Sequence, residues 1–209
     1  MARAKAIKQT RPYGEETHAL ILEAAAKLFA TRGLHTVSMQ DIAEAANVSR
    51  ATVFNQFGSK QLVLDAITAR SLEAYCELLR AALADKRAST PTLLRRLFSQ
   101  MGKGIETNQS LYREVFSEIR KISMGLDGEG ASPALRRTAF EILAAIFERG
   151  RERGDISRSQ SPEVLATAFD SLLSGAVVQW LHDRRRGSLP ALLGSLINVF
   201  LDGAARPPR

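Results

Sequence analysis

One short segment gathers side chains whose types and spacing suit recognition chemistry: Ser49, Arg50, Ala51, Thr52, Asn55 and Gln56. On a helix that starts after Ser49, Val53 and Phe57 fall four apart and turn inward. Arg50, Ala51, Thr52, Asn55 and Gln56 are left outside. A guanidinium, two amides and a hydroxyl at this spacing offer donors and acceptors for base edges and phosphates. The helix would be roughly two turns, ~12 Å at 1.5 Å per residue, which suits a major groove about 12 Å wide. The chemistry on offer is non-covalent reading of duplex DNA. Catalysis has no comparable candidate. His18, His35 and His182 are scattered and lack metal-ligand spacing, and Cys76 reads as a structural thiol with no histidine near it in sequence. No nucleophile elbow, P-loop or dinucleotide fingerprint is present. The expectation is a protein that is not an enzyme and has no cofactor and no metal.

Presenting such a helix takes a frame. Upstream, Ser38 caps a first short helix and Asp41, three residues on, completes a capping box. Ile42, Ala43 and Ala46 form its buried face. Asn47 falls at the break, where a left-handed residue is needed, and Val48 plugs the corner. Residues 15–32 form a longer helix with Ile21, Leu22, Ala25, Leu28 and Phe29 on one face. Glu15 and Glu16 are expected in its first turn and Gly33 at its end. This helix backs the two short ones, which could not bury enough apolar area alone. Gly58 stops the outward-facing helix. Ser59 then caps a long one over 60–85 with Leu62, Val63, Ala66, Ile67, Tyr75, Leu78, Leu79 and Ala82 at its apolar positions.

Beyond it, Thr90-Pro91, Ser132-Pro133 and Ser161-Pro162 read as caps followed by proline at the first helical position. Helices are expected at 91–106, 109–122, 133–152, 162–185 and 189–203, nine in all. Gly125, Gly128 and Gly130 share one loop whose spacing is that of a linker rather than a phosphate cradle. No period-2 stretch suggests a strand.

Composition sets wide bounds. The 209 residues are 45 % hydrophobic, enough for a core, and carry a net charge of +7, which favours a polyanionic partner. One cysteine excludes an internal disulfide and suits a reducing cytoplasm. No apolar run approaches the roughly 20 residues of a membrane span, so a cytoplasmic protein with no membrane partner is expected. Residues 1–13 carry Arg3, Lys5, Lys8 and Arg11 without an acid. They read as a flexible basic tail, either solvated or placed against phosphates or the minor groove.

The pattern Ile42-Ala43-x-x-Ala46-Asn47-Val48-Ser49-x-x-Thr52-Val53-Phe54-x-x-Phe57-x-x-Lys60 closely resembles the helix-turn-helix of the TetR family of bacterial transcriptional regulators. The likeness extends upstream through Ile21-Leu22-x-Ala24-Ala25-x-x-Leu28-Phe29-x-x-x-Gly33 and covers roughly residues 15–67. It implies an all-α, nine-helix architecture: a basic tail over 1–14, a DNA-binding domain over 15–60 with the helix-turn-helix at about 38–57, and a ligand-binding and dimerisation domain over 61–209. It implies a homodimeric repressor that reads a palindromic operator and is released by a small-molecule effector. Carried over position by position, Ser38 and Ser49 hold phosphates, Arg50 and Ala51 read bases, Thr52 touches a phosphate or base, and Lys60 binds phosphate. Two positions depart. Phe54 stands where tyrosine is usual and lacks a hydroxyl for phosphate. Gln56 stands where histidine or tyrosine is common, though its amide can donate. Asn55 can bond an adenine edge.

The last two helices are apolar over wide arcs, which calls for partners on two sides. With the resemblance, the second side is a second copy of the chain. Leu165, Phe169, Leu172, Ala176, Leu192, Leu193, Leu196 and Phe200 are the expected interface, with Ala168, Ser174 and Gly175 permitting close approach. The resemblance places an effector pocket between the long helix and those at 91–106, 109–122, 133–152 and 162–185. Tyr75, Phe98, Met101, Phe116, Phe140, Phe147, Phe169 and Trp180 are its candidate lining, although aromatics and methionine at helical spacing are more often plain core. Two other readings stay open: a regulator that answers to a protein partner instead of a ligand, and a helical enzyme or interaction module with a vestigial helix-turn-helix.

Overall fold

The computed structural model describes residues 11–125, 131–183 and 187–204. The basic tail before residue 11 and Gly128 and Gly130 lie outside these. Among the described residues there are nine α-helices, one 3-10 turn and no strand. They are α1 (Arg11–Arg32), the 3-10 turn (Leu34–Thr36), α2 (Met39–Ala45), α3 (Arg50–Phe57), α4 (Lys60–Ala84), α5 (Thr90–Thr107), α6 (Gln109–Ser123), α7 (Ala131–Arg153), α8 (Pro162–His182) and α9 (Leu189–Ala204).

The expected helices are present, with differences at their ends. Helix α1 begins at Arg11, so Glu15 and Glu16 sit in its second turn and its first turn holds no acid. The cap of α5 is Ser89, not Thr90: Ser89 accepts the Thr92 N–H, while the buried Thr90 donates its own N–H to the Asp155 carboxylate at 2.9 Å. Helix α7 starts at Ala131, which puts Ser132 and Pro133 inside its first turn, where a missing N–H costs nothing. Helix α8 ends at His182, short of 185, because Asp183 is extended. The 3-10 turn at Leu34–Thr36 was not expected.

The chain groups into two compact units, Met1–Ile67 and Thr68–Arg209. In the first, Ile21, Ala25, Phe29, Val37, Ile42, Ala43, Val53, Val63 and Leu64 are essentially fully buried. Leu62, expected at an apolar position of α4, is 53 % exposed.

In the second unit, α5 packs along α9 and α7 along α8. The core is aromatic at its centre: Phe169 meets Phe98 and Phe200 at ring-centroid distances of 5.0 Å and Phe147 at 5.5 Å, separations typical of favourable edge-to-face pairs. The end of α7 is tied to the α4–α5 connection. Gly154 (φ 78°) closes α7, with the Asp155 N–H on the Gly150 carbonyl at 2.8 Å, and this delivers Asp155 to Thr90. A Cβ on Gly150 would lie 2.7 Å from Thr90 Oγ1, so only glycine permits the approach. Arg149 donates to the carbonyls of Ala82, Leu83 and Asp85, capping the end of α4.

Helix α8 corrects one expectation. Among the described residues it is the one helix long and apolar enough to cross a membrane by length and composition. Core packing accounts for much of that apolarity, since Leu165, Ala166, Phe169, Leu173, Val177, Trp180 and Leu181 are buried in the second unit.

Candidate nucleic-acid interface and internal cavity

Helices α2 and α3 are built as a capped pair. Ser38 accepts the Asp41 N–H at 3.1 Å, and Asp41 accepts the Ser38 N–H at 2.8 Å. This reciprocal box, with a further bond from Ser38 Oγ and a pair to Arg32 at 2.9 Å, holds the Asp41 carboxyl down at about 2. The hydrogen bonds from Ser38 are the largest cause. Helix α2 ends with Asn47 at φ 54°, the Asn47 N–H on Glu44 and the Val48 N–H on Ala43 at 3.0 Å. That is the two-bond left-handed helix stop, and it sets the turn into α3. Ser49 caps α3 by accepting the Thr52 N–H at 3.0 Å, and Gly58 (φ 72°) stops it.

Helix α3 buries Val53 and Phe57 and exposes Arg50, Ala51, Phe54 and Asn55. Thr52 and Gln56 are half-buried. The Gln56 amide oxygen is shut off from solvent without a hydrogen-bond partner, so Gln56 is less open than the sequence suggested. Phe57 carries the His18 ring against it, centroids 4.6 Å apart, a contact that sequence spacing could not reveal. Phe54 is 39 % exposed, and the Arg50 guanidinium lies over its ring at 5.1 Å. The Ser38 and Ser49 hydroxyls are occupied as caps: the first bonds Asp41, and the second lies 2.8 Å from Thr52 Oγ1. Lys60 is half-buried and donates to the carbonyls of Leu34 and Val37 at 2.7 and 2.8 Å. One of its three protons is left for a phosphate. Lys27 pairs with Glu23 and Arg32 with Asp41.

The second unit holds a partly open cavity of about 260 Å³ among α4, α5, α6, α7 and α8. Of the eight residues expected there, Tyr75, Phe98, Met101 and Phe116 line it. Phe147 and Phe169 do not, being fully buried in the aromatic core. Trp180 is 5 % exposed and donates its Nε1–H to the Gly187 carbonyl at 2.8 Å. Phe140 faces a shallow surface hollow with Glu141 and Arg151 instead. The floor is completed by Leu72, Leu78, Ile105, Val115, Ile119, Leu173 and Val177. Tyr112, Arg136 and Asp170 also line the cavity and were missed, because a charged pair 34 residues apart leaves no periodic signal. Arg136 grips the Asp170 carboxylate with both terminal nitrogens, Nη1 at 3.1 Å. Burial first, and the charge of Asp170 second, raise the Tyr75 phenol well above its ordinary range; burial also raises Tyr112.

Of the residues expected at an interface between copies, Leu165, Phe169 and Leu193 are inside their own subunit, leaving no face for a partner. They fill the core because α8 and α9 each turn one side toward α5 and α7. Leu172, Ala176, Leu196 and Phe200 are half-buried, with Phe200 seated against Phe147 and Phe169. Leu192 is exposed. The exposed side of α8 carries Val164, Ala168 and Gly175; that of α9 carries Leu192 and Val199.

Residues 21–67 match the family model for bacterial regulatory proteins of the tetR family. The transcriptional regulator TtgR of Pseudomonas putida is 30% identical over 182 residues, 84% of this chain and 85% of that protein. Among solved structures, FadR of Thermus thermophilus, a transcriptional repressor in complex with lauroyl-CoA, superposes with a TM-score of 0.67 at 25% identity, covering 92% of this chain and 97% of that one. A transcriptional regulator of Saccharomonospora viridis in complex with choline gives 0.68 at 25% identity, over 90% and 96%. A capped α2–turn–α3 with a polar outer face, set in nine helices and aligned with these regulators over most of its length, places the chain in the TetR family of bacterial transcriptional regulators, DNA-binding proteins of the helix-turn-helix class.

Proposed function

We propose that the protein is a cytoplasmic, homodimeric repressor that reads a palindromic operator with α3 in the major groove and leaves it when a small molecule enters the cavity of the second unit. On this reading residues 15–60 bind DNA, residues 61–209 bind effector and partner, and the basic stretch ahead of α1 adds phosphate contacts. Arg50, Ala51, Phe54 and Asn55 form the reading surface. Ser38, Ser49, Thr52, Gln56 and Lys60 shape it and touch the backbone.

The observation that carries this is the exposed face of α3. Its arginine, asparagine and phenylalanine stand outward while Val53 and Phe57 anchor the helix. Two copies reading successive turns need recognition helices about 34–36 Å apart. The apolar positions left open on α8 and α9, Val164, Leu192 and Val199, support pairing through those helices. The cavity favours a ligand-responsive regulator over one governed by a protein partner. An effector acts only through its preference for the arrangement that does not fit DNA.

Selection of bound duplexes from a random pool tests the reading. A palindromic consensus with half-sites one helical turn apart is expected. A consensus without two-fold symmetry would overturn the dimeric mode.

A further inference from the structure

The cavity's chemistry narrows what can fill it. Its one guanidinium and one carboxylate neutralise each other, since Arg136 spends both terminal nitrogens on Asp170. The lining therefore offers no uncompensated charge. Tyr75 and Tyr112 line the same space, and neither hydroxyl hydrogen-bonds to a described residue. Both phenols are protonated at neutral pH, and burial raises them further above their ordinary value. These two donors, beside the unpartnered Arg136 Nε–H and the Gln100 and Ser174 side chains, sit in a wall made mostly of leucine, isoleucine, phenylalanine and methionine and call for an acceptor on a ligand. Size sets a scale. A dry cavity of ~150 Å³ takes one benzene ring, so about 260 Å³ here seats two, with the space partly open beyond them.

We infer that the cavity binds a compact, uncharged, two-ring aromatic or alicyclic molecule whose carbonyl, ether or hydroxyl oxygen accepts from Tyr75 and Tyr112. The inference rests on the reading of this cavity as the effector site. It separates the chain from the two ligand-bound relatives. Lauroyl-CoA is anionic and long, and choline is a cation. Each carries a charge for which this lining has no spare countercharge, because Asp170 is already matched by Arg136.

The test holds ring size fixed and varies charge. The full chain is titrated calorimetrically with 2-naphthol (uncharged at neutral pH), 2-naphthoate and 2-naphthyltrimethylammonium, with lauroyl-CoA and choline alongside. Binding of 2-naphthol at least tenfold tighter than the other four is expected. Tyr75→Phe and Tyr112→Phe should each weaken it by about threefold to tenfold, the loss of one hydrogen bond, and leave naphthalene binding unchanged. Tighter binding of any charged probe, or tyrosine variants that bind 2-naphthol normally, would overturn the assignment. Absence of binding by all five would overturn it as well. A separate arm adds 2-naphthol to the protein on its selected duplex. Cavity binding without any loss of duplex affinity would leave the ligand class standing and sink the effector reading instead.

Discussion

The Arg50 guanidinium lies over the Phe54 ring, 5.1 Å from its centroid, on the open side of α3. The two residues are four apart and so share one face. A cation–π contact of this kind contributes about 0.5–1 kcal/mol at an exposed site and narrows the conformations of a long side chain before DNA arrives. The same contact leaves an apolar ring edge beside a charged fork. A guanine suits the fork and a neighbouring thymine methyl suits the ring.

Replacing Arg50 by alanine should therefore flatten sequence preference. The expected loss is about 1–3 kcal/mol of discrimination at one base pair of each half-site, with little change on unrelated DNA. Phe54→Ala should relax the adjacent position more weakly. Phe54→Tyr restores a hydroxyl that can reach phosphate and should tighten binding to all sequences alike. Competition titrations against single-base operator variants read these outcomes. An Arg50→Ala protein with the parent's preference would remove Arg50 from the reading surface.

Lys60 combines two roles that sequence comparison alone merges into one. Its ammonium bridges the Leu34 and Val37 carbonyls, pinning the 3-10 turn to the start of α4. Hydrogen bonds to a charged group contribute about 1.5–3 kcal/mol each, net of competition with water. Lys60→Met should lower stability to chemical denaturation by an amount on that scale, and lower affinity for every duplex. Its effect on the salt slope should be at most about one phosphate's worth, ~0.9. Removing residues 1–10, which hold Arg3, Lys5 and Lys8, should lower the slope more and stability less. Equal slopes for the truncated and parent proteins would exclude the tail from the phosphate contacts.

How much was legible beforehand follows the range of the interactions involved. The capping box at Ser38 and Asp41, the left-handed Asn47 and the stop at Gly58 are local events, written within a few residues, and the structure has them where the pattern puts them. Nine helices follow from caps, prolines and 3.6-residue periodicity for the same reason. Long-range choices were not legible. Thr90 looked like a cap until Asp155, 65 residues away, took its N–H. Phe147 and Phe169 are as apolar as Phe98 and Phe116, yet only the latter two reach the cavity. Periodicity finds the buried side of a helix but not which neighbour it meets. The same blindness hid the Arg136–Asp170 pair and placed Leu165 and Leu193 on an outer face.

The cap of α2 should be visible in acid. Asp41 is held at about 2, well below its ordinary 3.8, chiefly by its hydrogen bonds to Ser38. A carboxyl depressed in the folded state contributes stability that is complete above its unfolded pKa. That contribution falls away as pH drops from about 4 through about 2. Carboxyl chemical shifts followed by NMR should show an Asp41 midpoint near 2. Ser38→Ala deletes the largest cause and should move the midpoint back toward the ordinary value. A midpoint near 4 in the parent protein would mean that the box is open in solution.

Pairing of two subunits can be probed without disturbing either core. Val199 is 65 % exposed on α9, whereas Leu193 and Ile197 on the same helix are fully buried. A carboxylate at 199 therefore costs the isolated subunit little, because an exposed substitution away from packed features stays within about 0.5 kcal/mol. At an interface between two copies the symmetry axis brings the substitution in twice, and each buried unpaired charge is costly. Val199→Glu should sediment as a single subunit at concentrations where the parent is a dimer, with an unchanged melting temperature extrapolated to low concentration. Operator affinity should fall steeply, since one head must then bind without its neighbour. If Val199→Glu stays dimeric while Val164→Glu on α8 does not, the contact runs along α8 alone. If both remain dimers, these helices are not where the copies meet.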